Sequence, residues 1–177
     1  MANVKVLPTR QFSTSFRTLL AEGPSALTIV SPFLTPVKGW ASVLQFSKFV
    51  LSRGTSKLEI VTCPPLNDNH GMAWPNCITL SEAELIEAEG VSLKIRETNL
   101  HAKLYYFEFE EPVRYAAFIG SSNFTAGGFE RNDETMVRIE HPDDREEVRR
   151  EVARLSTQGS FPYQIWKSRK FTMRAPK

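Results

Sequence analysis

Cysteine and histidine are both scarce: Cys63 and Cys77 are the only thiols, and His70, His101 and His141 the only imidazoles, among 177 residues. Two cysteines cannot build a disulfide framework and suit a reducing, cytoplasmic compartment. Cys63, His70 and Cys77 are evenly spaced, but three candidate ligands without a CxxC pair make a poor metal signature, and no metal or other cofactor is expected. Long apolar runs are missing as well. No stretch approaches the ~18 residues that a membrane-spanning helix requires, and the opening MANVKVLPTR lacks the apolar core of a signal peptide. Export and membrane insertion are therefore not expected. There is no internal repeat, so a site that needs two equivalent halves cannot draw both from one chain. Helix-turn-helix and zinc-finger patterns are absent too, which leaves no dedicated base-reading module.

What is present suits a single α/β domain over residues 1–177. A hydrophobic content of 41% can fill one sizeable core but hardly two. Phe12, Phe16, Leu19 and Leu20 repeat at helical spacing ahead of Gly23-Pro24. Ala26 to Val30 reads as a buried strand. Trp40, Val43, Leu44, Val50 and Leu51 predict one face of a helix over 37–51, stopped by Gly54. Lys57 to Thr62 is the next strand. Ser81 and Glu84 have capping-box spacing for a short helix that Gly90 ends. Strands are predicted over 91–95, 101–109, 115–119 and 135–139. A charged helix starts at Asp143 with Val148, Val152 and Leu155 as its buried stripe. This order implies a mixed sheet flanked by helices. The Pro- and Asn-rich stretch from Pro64 to Ile78, with His70 and Trp74, is long for a connector and could form a rim.

The chemistry is concentrated between residues 100 and 134. His101 and Lys103 lie two apart in the strand-like run HAKLYYFEF, so a period of two projects both from one face. A neutral imidazole can attack phosphorus to give a phosphohistidine, while a lysine ammonium neutralises charge gathering on the phosphoryl oxygens. The strand 115–119 runs into Gly120-Ser121-Ser122-Asn123, where glycine permits close backbone approach to an anion and Ser121 and Asn123 can donate hydrogen bonds. After Gly127-Gly128 comes Asn132-Asp133-Glu134, and Glu134 could accept the proton on the other nitrogen of His101, orienting it.

The series HAK, GSSN and NDE resembles the HxK…GSxN…E signature of the phospholipase D superfamily, most closely its metal-independent nuclease and restriction-endonuclease branch. That resemblance implies a phospholipase D-like domain, one motif per chain and an active site assembled across a homodimer. It makes His101, Lys103, Asn123 and Glu134 the catalytic set, with Ser121, Lys103 and Asn123 binding the phosphate. The family usually has an aspartate where this chain has Glu108, and the hairpin before Gly120 is longer than usual. Glu108 has the opposite strand parity to His101, which implies a supporting role rather than a chemical one.

In-line displacement at phosphorus needs a nucleophile on one side and a proton donor on the other, and both tasks suit histidine. Neither His70 nor His141 has a lysine two positions on or a GSxN partner. The second half is therefore expected from an identical chain across a two-fold axis. The expected activity is cleavage of DNA, with RNA the other polymer open. A phospholipase D-type lipid phosphodiesterase and a non-catalytic nucleic-acid-binding relative are the alternatives. The terminal segment 164–177 holds Lys167, Arg169, Lys170, Arg174 and Lys177 and no acid. Those five account for the whole positive balance, since 22 basic residues exceed 20 acidic ones by two. Interleaved with Trp166 and Phe171, they could follow a nucleic-acid backbone as a basic tail, helped by Arg96, Arg114 and Arg131 near the motif strands.

Overall fold

The computed structural model describes residues 4–66 and 77–172. Along the chain these form β1 (Lys5–Pro8), α1 (Thr9–Ala21), β2 (Ala26–Val30), α2 (Val43–Ser52), β3 (Lys57–Thr62), α3 (Leu80–Ala88), β4 (Ser92–Arg96), β5 (Leu104–Glu108), β6 (Tyr115–Gly120), β7 (Thr135–Ile139), α4 (Arg145–Thr157), β8 (Ser160–Pro162) and α5 (Tyr163–Thr172). The strands make one mixed sheet in the order β1-β7-β6-β5-β2-β3-β4-β8. Strands β2, β3 and β4 are parallel to one another, whereas β5, β6, β7 and β1 form an antiparallel run and β8 closes the other edge antiparallel to β4.

Strand parity divides the interior into two layers. Leu27, Ile29, Leu58, Ile60, Tyr105, Phe107 and Phe118 face one side, where α1, α2 and α3 cover them through Phe12, Phe16, Phe46, Val50 and Ile86. Val30, Val61, Leu104, Tyr106 and Ala117 face the other, where α4 lays down Val148, Val152 and Leu155. The first layer is held by aromatic rings: Phe16 lies 5.0 Å from Phe129 and 5.5 Å from Tyr105, and Phe46 lies 4.7 Å from Phe124. These contacts anchor the loop after β6, because Phe124 and Phe129 belong to it.

Several elements differ from the sequence expectation. The helix predicted over 37–51 begins only at Val43, since Ser42 caps it by accepting from Gln45 N at 3.0 Å while 37–41 stay irregular. The cap of α3 is Thr79, which accepts from Glu82 N at 3.2 Å, rather than Ser81 with Glu84. Glu82 instead reaches across to the start of α2, accepting from Val43 N at 3.0 Å and Leu44 N at 3.3 Å. His101 to Lys103 precede β5 rather than lie within it.

Strands β1 and β8 were not foreseen, nor was the helical nature of 163–172. Trp166 is only 2% exposed and donates its indole N–H to Glu97 at 2.9 Å, so it is a core ring and not a base-stacking one. Lys167 pairs with Glu84, Arg169 stacks on Phe161 and Lys170 on Trp166. The idea of a basic tail is thereby corrected for 164–172; Arg174 and Lys177 lie outside the described residues. So do His70 and Trp74, while the neck of their segment is held by Leu66 N donating to Ile78 O at 3.0 Å and Leu80 N to Leu66 O at 2.9 Å.

Candidate active site

All of the motif residues gather at one edge of the sheet, where β2 and β3 end and β5 begins. Leu104 pairs with Val30 in antiparallel register, which sets His101 to Lys103 beyond the C-terminal end of β2. Open α/β sheets place their ligand sites at such carboxyl ends. Gly120 ends β6 at the same edge, beside the start of β7. A Cβ at Gly120 would lie 2.2 Å from Thr135 O, so no other residue lets β6 and β7 close together here.

Lys103 is 8% exposed, and its Nζ donates to His101 O at 2.8 Å and lies 3.1 Å from His101 Nδ1. The two side chains come together not on one face of a strand but through a lead-in to it that folds the lysine back on the histidine. Burial pushes the Lys103 ammonium below its usual pKa, and the negative charge of Glu134, with Cys63 nearby, partly offsets this. His101 itself is exposed.

The GSSN turn splits its two serines between structure and surface. Ser122 is buried: its Oγ donates to Gly128 O at 2.6 Å, and its carbonyl accepts from Tyr105 OH at 2.8 Å. Ser121 faces outward and donates to Glu134 Oε2, while its Oγ accepts from Thr135 N at 3.1 Å. Gly128 is needed because a Cβ there would fall 2.2 Å from Asn123 O. Asn123 therefore has a fixed backbone, and its Oδ1 is buried with no hydrogen-bond partner among the described residues. An orphaned acceptor of this kind costs roughly 1–3 kcal/mol, which a suitable donor would recover.

Glu134 is held within its own chain by two side chains. Its Oε2 and Oε1 accept from Ser121 and from Asn132 Nδ2, the latter at 3.2 Å, and it does not bond to His101 of its own chain. The residue that sequence reasoning missed is Thr9, the first residue of α1. Its hydroxyl donates to Asn132 O at 2.6 Å and accepts from Glu134 N at 2.9 Å, fixing the acid's backbone. No sequence signal could have found it, because Thr9 reaches the site only through the pairing of β1 with β7.

The remaining candidates sit elsewhere. Glu108 ends β5 at the far edge, on the α4 side, accepting from Tyr106 OH at 3.0 Å and pairing with Arg145 and Arg149 at 3.5 Å. Arg114 is at that edge too, paired with Glu22 and Glu111. His141 O accepts from Tyr115 OH there, far from His101. Among the described residues, no cluster of three or more His, Cys, Asp or Glu could hold a metal ion, and no helix is long and apolar enough to cross a membrane.

A mixed sheet carrying His-x-Lys, Gly-Ser-x-Asn and Glu at one edge defines a phospholipase D-like domain. Residues 19–156 match the family model described as cardiolipin synthase, PLD-like domain, and the chain belongs to this phospholipase D-like family. No curated protein matches the sequence. Among solved structures, the chain is similar to Nuc of Salmonella typhimurium, a phospholipase D family member, with a TM-score of 0.63 and 16% identity over 92% of this chain and 99% of that one. NucT from Helicobacter pylori gives a TM-score of 0.54 and 14% identity over 92% and 100%. TrmBL2, an archaeal chromatin protein described as binding DNA, gives 0.52 and 13% over 90% and 55%. At these identities the likeness is one of fold.

Proposed function

We propose that the protein is a metal-independent phosphodiesterase, an endonuclease that cleaves DNA or RNA through a covalent phosphohistidine. The observation that carries this reading is the His101–Lys103 contact beside the Ser121–Glu134 pair, all at the sheet edge where a phosphate can enter. Lys103 would hold the phosphoryl oxygens, with Asn123 donating to them and Ser121 joining once its hydroxyl proton turns from Glu134 to the phosphate. His101 would attack phosphorus as the bond to the leaving oxygen breaks, and that oxygen would take a proton from a second imidazole. Water would then cleave the phosphohistidine, with the second imidazole accepting its proton and His101 as leaving group.

The second imidazole would be His101 of an identical chain across a two-fold axis. Three features support this assembly. The other described histidine, His141, lies at the opposite edge. Glu134 is held by Ser121 and Asn132 without reaching the histidine of its own chain, leaving it available to the Nδ1 of the second copy. On the α4 side, Ile119 pairs with Val137 and Val137 with Val6, an apolar row beside the site that α4 leaves partly bare; Val6 is 66% exposed. A second copy seated on that row would bring the two edges together.

Plasmid nicking in EDTA, with wild type and His101→Ala, tests the reading. Nicking by wild type and its loss in the variant are expected. Cleavage of a phosphatidyl substrate with no action on nucleic acid would move the assignment to lipids, and a strict need for magnesium would overturn the mechanism.

A further inference from the structure

Among the described residues, many cations are spent on acids. Lys5, Lys48, Lys94, Arg114, Arg138, Arg145, Arg149, Arg154 and Lys167 all form ion pairs. Several cations along the exposed flank of α1 form none. Arg10, Arg17, Lys38 and Arg53 form no ion pair with any described residue. Arg10 and Arg17 are seven residues apart, two turns of one helix face, and with Lys38, Phe129 and Glu130 they line a surface groove of about 750 Å³. Arg17 also borders a second hollow of about 270 Å³ with Trp40 and Arg53, so the two lie on either side of that residue.

The groove starts at the candidate site. Its first cation, Arg10, follows Thr9, whose hydroxyl holds Glu134 N and Asn132 O. Its far end is Arg53, which donates to Ala21 O at the last residue of α1. The helix between them has 13 residues, so the track is roughly 20 Å long. Among the described residues the one acid on the wall, Glu130, accepts from Lys38 N at 2.6 Å, and the Lys38 ammonium forms no ion pair. Trp40 lies in the middle, half-buried, with the Arg17 guanidinium 4.8 Å from its ring. Spaced cations and a planar group on which a base can stack are the features with which proteins follow a single strand; here the cations would take phosphates, and the Arg17 guanidinium, seated on Trp40, would offer its outer face to a base.

We infer that the α1 groove from Arg10 through Lys38 and Trp40 to Arg53 is the track on which a single-stranded nucleic acid lies as it leaves the cleavage site. The inference rests on the proposed nuclease reading and adds the surface that would make a polymer a better substrate than a small diester. Contacts there are to backbone and ring, so binding is independent of sequence and strongly dependent on salt.

The test compares wild type with Arg10→Glu/Lys38→Glu on two substrates: bis(4-nitrophenyl) phosphate, too short to leave the site, and a single-stranded oligonucleotide of about 16 nucleotides. The double variant should hydrolyse the small diester at the wild-type rate and lose about tenfold or more in kcat/KM on the oligonucleotide. Its salt dependence should flatten by about 0.7 per lost phosphate contact in the slope of log affinity against log salt. Unchanged oligonucleotide cleavage and salt slope would overturn the track while leaving the nuclease reading intact. If both substrates suffer together, Lys38→Gln and Arg53→Gln, at separate points of the groove, decide the matter: wild-type affinity for the oligonucleotide in both would overturn the track. If wild type cleaves neither substrate, the nuclease reading fails. Fluorescence anisotropy of the labelled oligonucleotide then judges the groove alone, equal binding by wild type and the double variant counting against it.

Discussion

Lys103 Nζ sits 3.1 Å from His101 Nδ1, with the His101 carbonyl also in its reach at 2.8 Å. An ammonium only donates, so Nδ1 is the acceptor, and a neutral ring then carries its proton on Nε2. That tautomer has no free lone pair on Nε2 to attack phosphorus. Drawing the lysine away to a phosphate and supplying a carboxylate to Nδ1 would reverse it. The single chain holds the pair in this form; in the proposed dimer, a phosphate and the second copy's Glu134 would supply both changes.

Replacing His101 by alanine should lower nicking at least about a thousandfold, with thermal stability preserved because the side chain is exposed. A retained rate would remove histidine from the chemistry.

The rate should also depend on both rings at once. When wild type is co-expressed with His101→Ala in varying proportion, activity per total protein should follow the square of the wild-type fraction. A straight line would mean that each chain works alone. Val137→Arg, placed in the apolar row, should convert the dimer to monomer by sedimentation and abolish cleavage.

Lys103→Ala should cost about 3–4 kcal/mol of transition-state stabilisation, the usual contribution of a donor to developing negative charge. Burial lowers the pKa of Lys103, so its charge is present below that value and lost as pH rises through it. The alkaline limb of kcat/KM should therefore fall below the ~10.4 of a free lysine. Glu134 raises this pKa, so Glu134→Gln should move the limb to still lower pH. A limb that stays in place would show that the two charges do not communicate.

Gly120→Ala should destabilise the fold by about 1–3 kcal/mol, because its Cβ meets the backbone of β7 rather than a side chain that can swing away. Urea titration measures this, and a neutral effect would show that β6 and β7 can part at the site edge.

Beneath α4, Glu59 is buried and pairs with Lys94 at 2.8 Å and with Ser156 Oγ at 2.6 Å. Burial pushes its carboxyl pKa up, but the bonds from Lys94 and Ser156 outweigh this and leave it below the ordinary value. A lowered folded-state pKa means that the stabilisation is present above the unfolded value and is lost as pH falls through the folded one. Glu59→Leu should cost about 3–5 kcal/mol near neutral pH by stranding Lys94, and Glu59→Leu/Lys94→Leu should recover much of it. Urea midpoints across pH check both; a double variant as weak as the single would assign the loss to packing.

Much of the fold was legible because periodicity reports burial directly. The strands over 26–30, 57–62 and 135–139 have the predicted bounds, and the stripe Val148, Val152 and Leu155 of α4 is buried as read. Elements whose burial depends on a distant partner were not legible. β1 is a four-residue edge strand with three exposed positions, defined by β7 more than 120 residues away. The segment 163–172 looks solvated by composition, yet Tyr163 and Trp166 dock it.

The candidate site divides in the same way. By itself the sequence determined which side chains could perform the chemistry, since HAK, GSSN and NDE name a nucleophile, a cation, two donors and an acid whatever their arrangement. Tertiary structure alone decided that Ser122 faces the core and Ser121 the site, that Thr9 braces Glu134, that Lys103 rests on His101, and that unpaired cations line α1. These are contacts between residues far apart in the chain or in irregular segments, where no repeat of two or 3.6 residues fixes which way a side chain points.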